Sequence, residues 1–419
     1  MSRRSAWLLA LVALAAPATP ARGERVDAAL PSVVAVGPPR APAPVERVDL
    51  ARTGRSRAPL PDSPVELVRR PVGAGAQPPV VLADGTIAVA LSTPEVVRFA
   101  QDGTEASRTR IGPAPAARQP VVLPNGGLAV LTTAPSVVFL RPSGKVAATV
   151  PLSRTTFPLS LGGDGSFVSF VPTLDGGVAV ASGRSFVQID AGGQLGHEAT
   201  LPERERFAAD LVRARDAWLA TTQSGAVYRL KAPGEPKRLG SFGAGVMGTP
   251  ALLDSRSLVA QSGSSRIVSL DLKTGSVVTR VADPGFFAFD GAFVADAKGG
   301  LWTTTTEGLL LGFGPSGDEI ARAPIDRAAA APPPTPMFGG GRVVPAPASS
   351  TRSVLLSDVE GRVAFARSGG KVGVRSPDGR VSIATERGCS SPVALLPLAK
   401  GKMVLACKEG AIIVYGEPQ

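Results

Sequence analysis

PVVLADGTIAVALSTPEVVRFAQDGTEASRTRI, residues 79–111, reads as four short strands separated by tight turns. Val80, Val81 and Leu82 form an apolar run. Asp84-Gly85 then supplies a turn, because glycine accepts positive φ and aspartate bonds its own backbone. Ile87 opens the returning strand, and Glu95–Gln101 is a third strand closed by Asp102-Gly103. Ala106–Ile111 is a fourth, more polar strand. Four antiparallel strands in roughly 40 residues make one propeller blade.

The stretch recurs. Its first half returns as PVVLPNGGLAV (120–130), FVPTLDGGVAV (170–180), ADLVRARDAWL (209–219), PALLDSRSLVA (250–260), FVADAKGGLWT (293–303), LLSDVEGRVAF (355–365) and LLPLAKGKMVL (395–405). The second apolar run opens at Ile87, Leu128, Val178, Ala217, Leu258, Leu301, Val363 and Met403, with spacings of 41, 50, 39, 41, 43, 62 and 40. Eight copies of one supersecondary unit predict an all-β, eight-bladed β-propeller of four-stranded antiparallel blades over 65–419. Seven blades is the alternative, if the repeat at 170–207 or at 355–390 merges with its insertion. The two long spacings place those insertions near Phe157–Phe167 and in Pro324–Ser353, where AAAAPPPTP (328–336) cannot support a strand ladder.

The last copy ends at Gln419 before any fourth strand, and the strand-like VELVRRPV (65–72) precedes the first full repeat. Val65–Val72 is therefore expected to close the ring by completing the last blade, leaving only short protected edges. Cys389 and Cys407 flank strands of that blade. They are the only two cysteines, an even count that favours a disulfide in an exported chain.

The N-terminus reads as an export signal over 1–23. Arg3 and Arg4 precede the apolar run AWLLALVALAA (6–16), and Ala21-Arg22-Gly23 offers small residues before a cut. The run is too short to span a membrane, and no later stretch reaches the necessary length. Residues 24–64 carry eight prolines and little periodic pattern, and read as a flexible linker. The expected destination is the periplasm or the outside of the cell. Without the leader, 42 Lys and Arg face 34 acids. The signs are interspersed, as in Glu203–Arg206, which builds no single strong field and argues against a nucleic-acid partner.

Residues 265–278, SRIVSLDLKTGSVV, resemble the repeat of the pyrroloquinoline-quinone-type β-propellers, a strand Leu-x-Ala-Leu-Asp followed by x-x-Thr-Gly and Lys-Val. The resemblance covers about 65–419 and is close at 250–280. It implies a propeller. The superfamily includes quinone-dependent alcohol dehydrogenases and the outer-membrane assembly lipoprotein. This chain departs from the enzymes: Val278 or Thr279 stands where a docking tryptophan is usual, and no adjacent cysteine pair is present. It departs from the lipoprotein by lacking a cysteine after the leader. The resemblance therefore points to a noncatalytic branch with no cofactor and no metal.

Few residues offer chemistry. His197 is the only histidine and stands on an outer strand, without the set a triad or zinc site needs. Tyr228 and Tyr415 fall in slots that are apolar in other blades, and read as packing. Trp218 and Trp302 interrupt a column that elsewhere holds Ala88, Ala129, Ala179, Val259, Ala364 and Val404. They are the candidate ligand- or partner-contact residues, against a simple packing role. The leading expectation is a monomeric, noncatalytic scaffold that binds a protein or cell-envelope polymer. The alternatives are a propeller enzyme, which would need acidic and polar side chains converging at one channel mouth, and a sugar- or small-ligand-binding module.

Overall fold

The computed structural model describes residues 54–152, 167–243, 245–263, 265–282, 288–325, 353–385, 388–399 and 401–418. All belong to the unit Val33–Gln419; the other unit, Met1–Ser32, lies outside the described residues, as does the proposed leader. The described chain forms eight sheets, each built on four consecutive antiparallel positions. They span 80–110, 121–151, 168–200, 212–241, 246–281, 289–324, 354–383 and 392–416, and are numbered blades 1 to 8. The protein is an eight-bladed β-propeller. The seven-blade alternative falls, because the copies after both insertions each make a complete sheet.

The apolar runs explain the packing. A second strand is covered on both faces by neighbouring blades, so it reads as a continuous run rather than an alternation. Ile87, Leu128, Val178, Leu258, Val363 and Met403 are fully buried. Each hydrophobic cluster draws on adjoining blades, as where Val80 and Ala88 of blade 1 meet Val122 and Leu128 of blade 2. Outer strands alternate between exposed and half-buried residues, as in Glu105–Arg110. At Asp84-Gly85 the glycine has φ +81°, and the Asp84 carboxylate accepts the Thr86 N–H at 2.9 Å.

Closure follows the sequence. Strand β2 (Val65–Pro71) pairs antiparallel with Ala411–Gly416 as the outermost strand of blade 8, from Val65 opposite Gly416 to Pro71 opposite Ala411.

The linker expectation is corrected at its C-terminal end. Residues 24–53 lie outside the described residues, but 54–64 are packed. Strand β1 (Arg55–Ser56) adds in parallel to the channel edge of the inner strand of blade 7, with Arg55 opposite Ser357 and Ser56 opposite Asp358. Gly54, at φ +70°, lies so close to blade 6 that an added Cβ would fall 2.5 Å from the Val294 side chain. Beyond it, Leu60 is buried against Leu356 and Leu405, and its N–H donates to the buried Asp358 carboxylate at 2.9 Å. Asp62 receives the Arg362 guanidinium at 2.7 Å, and the Asp62 and Ser63 N–H groups donate to the Glu417 carboxylate. The prolines around Leu60 fit an extended, docked strap as well as a loose linker, and composition does not separate the two.

Inner and third strands run the same way. The turns after them, with Asp84, Asp102, Asp175, Asp254 and Asp271, therefore share one face, here the Asp face. The blade-to-blade connections share the other. Both insertions leave an outer strand (Val146–Pro151, Glu319–Pro324) and return at an inner one (Val168–Pro172, Val354–Asp358), so both attach to this second face. Residues 153–166 and 326–352 within them lie outside the described residues.

Candidate functional site

The inner strands of blades 5 and 6 are bulged where they reach the insertion face. Met247 pairs with Gln261 and the next pair is Ala251 with Val259; Phe289 pairs with Thr305 and the next is Phe293 with Thr303. In each case three inner residues oppose one. Such bulges re-aim side chains, and here they carry Thr249 and Asp290 to the mouth of the channel.

Two charged groups assemble there. Asp210, from the entry to blade 4, accepts the Thr249 hydroxyl of blade 5 at 3.4 Å. It also receives Arg118 from the entry to blade 2 at 3.4 Å, across the mouth of blade 3, and the Arg118 guanidinium lies 5.2 Å from the Phe167 ring. On the opposite side, Asp290 accepts the Ser353 hydroxyl at 2.6 Å, and the Arg367 Nε lies 3.9 Å from the same carboxylate oxygen. Both partners of that ion pair are 4% exposed, and Arg367 also donates to the Thr306 carbonyl at 2.8 Å. Deeper in blade 3, the Ser169 hydroxyl accepts the Leu211 N–H at 2.9 Å.

Acidic and polar side chains therefore converge at one mouth, the arrangement an enzyme would need. Each acid is met by a hydroxyl and an arginine drawn from other blades, so the contacts brace the ring. Away from the mouth, Arg362 holds the Asp62 carboxyl below its ordinary value, and the Thr274 and Lys273 N–H groups hold Asp271 down at about 2.

Sequence reasoning missed this mouth, although a signal was present. Gln77, Arg118, Asp210 and Ser353 each stand three residues before the inner-strand partner of Ala88, Ala129, Trp218 and Ala364, namely Val80, Val121, Arg213 and Leu356. The column is visible only once strand register is fixed.

Trp218 and Trp302 lie elsewhere, near the Asp face and in separate clusters, 1% and 4% exposed. The Trp302 ring covers Gly312, where an added Cβ would meet it at 2.6 Å. Its Nε1–H donates to Asp296 at 3.3 Å, and the Arg375 guanidinium stacks 4.6 Å from the ring centroid. Trp218 lies under Arg213 at 4.9 Å. Neither indole presents an open face. Tyr228 and Tyr415 are buried between blades, and half-buried His197 rests edge-on against Phe186 at 5.8 Å. Cys389 and Cys407 are joined in a disulfide with Cα atoms 5.6 Å apart, tying the entry of blade 8 to the end of its second strand. Among the described residues the Cys389–Cys407–Glu409 group lies within 4.8 Å, but its two sulfurs are bonded to each other.

No protein-family profile matches the chain, and no curated protein matches it by sequence. Solved structures do match. BamB from Moraxella catarrhalis superposes with a TM-score of 0.57 at 15% identity, covering 84% of this chain and 97% of that one. The computationally designed Ika8 protein gives 0.58 at 12% identity, covering 84% and 99%. The Dos1 propeller gives 0.57 at 9% identity, covering 85% and 94%. The likeness is one of fold.

Proposed function

We propose that this chain is an exported, noncatalytic propeller of the pyrroloquinoline-quinone-like superfamily that binds a protein or polymer partner of the cell envelope. The observation that carries the reading is the matched state of the mouth. Asp210 and Asp290 would be the natural acids of a channel-mouth enzyme, and both are engaged by side chains of other blades. Export is supported by the charged start, apolar run and small-residue stretch of 1–23, and by a disulfide, which persists in oxidising compartments. Partner binding is supported by two insertions attached to one face, since propeller variability of this kind concentrates where partners are met.

Affinity capture from envelope extracts tests the reading, using the purified chain and a variant lacking residues 326–352. The expected outcome is one retained partner, lost or weakened in the variant. Retention of nothing by either form, together with turnover abolished by Asp290→Asn in an activity screen, would replace it with an enzyme.

A further inference from the structure

Seven blades place valine, leucine or alanine at the inner-strand position that faces the Trp218 column of the second strand, as at Val80 opposite Ala88 and Leu356 opposite Ala364. Blade 4 places Arg213 there, opposite Trp218. The neighbouring third-strand residue explains how the ring lies. Trp302 of blade 6 covers Gly312, whereas Trp218 is paired with Leu230 and stacks with Arg213 instead.

Arg213 is unlike the other arginines of comparable burial. Arg98 donates to the Pro142 and Arg141 carbonyls, Arg280 to Pro315 and Arg375 to Ser376. The Arg213 side chain makes no hydrogen bond or ion pair with any described residue. Its Nε–H is buried without an acceptor, and so is the Nε1–H of Trp218, itself 1% exposed. Two unanswered donors in one contact are a costly arrangement for a core. Arg213 as a whole is only half-buried, so its outer nitrogens keep access to solvent.

We propose that Arg213, seated on Trp218 at the seam of blades 3 and 4, is a recognition subsite for a carboxylate presented by an acidic peptide segment. The guanidinium donates two parallel bonds to a carboxylate from one edge. The charge balance favours a monoanion over a phosphate dianion. Arg213 has no hydrogen-bonded acid, while Asp175 and Asp216 both act on it through space, Asp216 being itself held by Arg229 and Lys231. The subsite rests on the binding reading above and gives that partner a second contact, on the face opposite the insertions.

The test uses the three tryptophans of the full chain, labelled with 15N, with the Trp218 indole resonance assigned by Trp218→Phe. Sodium acetate is titrated against chloride at constant ionic strength, followed by a hexaglutamate peptide and by inorganic phosphate. Acetate and peptide should shift the Trp218 resonance saturably, leave Trp302 in place, and bind at least tenfold more weakly to Arg213→Leu. That variant restores the residue type of the other blades, and its unchanged Trp302 resonance reports folding. An unmoved Trp218, or an equal response in Arg213→Leu, would make Arg213 a solvent-bridged structural cation. Tighter binding of phosphate than of acetate would overturn the carboxylate assignment. Failure here leaves the capture experiment readable, because the probe is a small anion and not the partner.

Discussion

Asp290 and Arg213 illustrate opposite uses of charge inside the same ring. Asp290 is matched by Ser353 and Arg367 and spans two blades. Removing one member of such a pair strands the other, at about 3–5 kcal/mol. Asp290→Ala and Arg367→Ala should each lower stability by that order in chemical denaturation. Arg118→Ala should cost far less, because its side chain is 36% exposed and solvent screens the pair with Asp210. Arg213 predicts the reverse sign. Its donors are unanswered, so Arg213→Leu should raise stability by about 1 kcal/mol or more, while weakening carboxylate binding. A residue kept at a cost in stability is what a binding role looks like.

At the scale of the element, the arm 54–64 was hidden from sequence reasoning while β2 was not. Val65–Pro71 has a vacancy to fill, since the last copy lacks a strand, and the repeat count exposes that vacancy. Residues 54–64 add to a blade that is already complete. They are too short to show a period, and their prolines resemble a linker. Their docking depends on Gly54 fitting beside Val294, Leu60 entering the blade 7–blade 8 core, and Asp62 meeting Arg362. Arg362 holds the Asp62 carboxyl below its ordinary value of 3.8. A depressed folded-state pKa contributes stability above the unfolded value and loses it as pH falls through the folded one. The arm should therefore be docked at pH 7 and loosen below about pH 3.8, by at most about 1 kcal/mol from this pair. Hydrogen exchange at the Leu60 and Asp62 amides should show it, and Asp62→Asn should weaken the pH dependence, with the Asp358 and Glu417 carboxylates still bound to the arm. Exchange that is fast at pH 7 would mean that the strap does not dock.

At the scale of the molecule, the period carried the architecture. Eight apolar runs at near-constant spacing required eight equivalent environments, and a ring supplies them. The positions of Trp218 and Trp302 were also legible as breaks in a column, but their surroundings were not. Whether a large ring packs or protrudes depends on its strand neighbours, here Gly312 in one blade and Arg213 in the other. The channel mouth was less legible still. Its acids are brought together by two bulges and by contacts that skip a blade, and neither leaves a local motif. Ring closure has its own consequence. Blade 8 is held by β2 pairing and by the Cys389–Cys407 disulfide. A chain lacking 54–71 should lose cooperative unfolding of the whole ring, and reduction of the disulfide should lower the midpoint of the intact chain by a smaller step. The 18-residue separation corresponds to about 3 kcal/mol in the loop-entropy picture.

The reading of the channel mouth as a brace is tested most directly by a double-mutant cycle on Asp290 and Arg367, with Asp290→Asn, Arg367→Met and the pair measured by equilibrium unfolding. The brace predicts that each single change destabilises and that the double costs less than the sum, with a coupling of about 1–3 kcal/mol. Singles that leave stability unchanged or raise it, with no coupling, would show that the two charges are held for a ligand or a reaction instead.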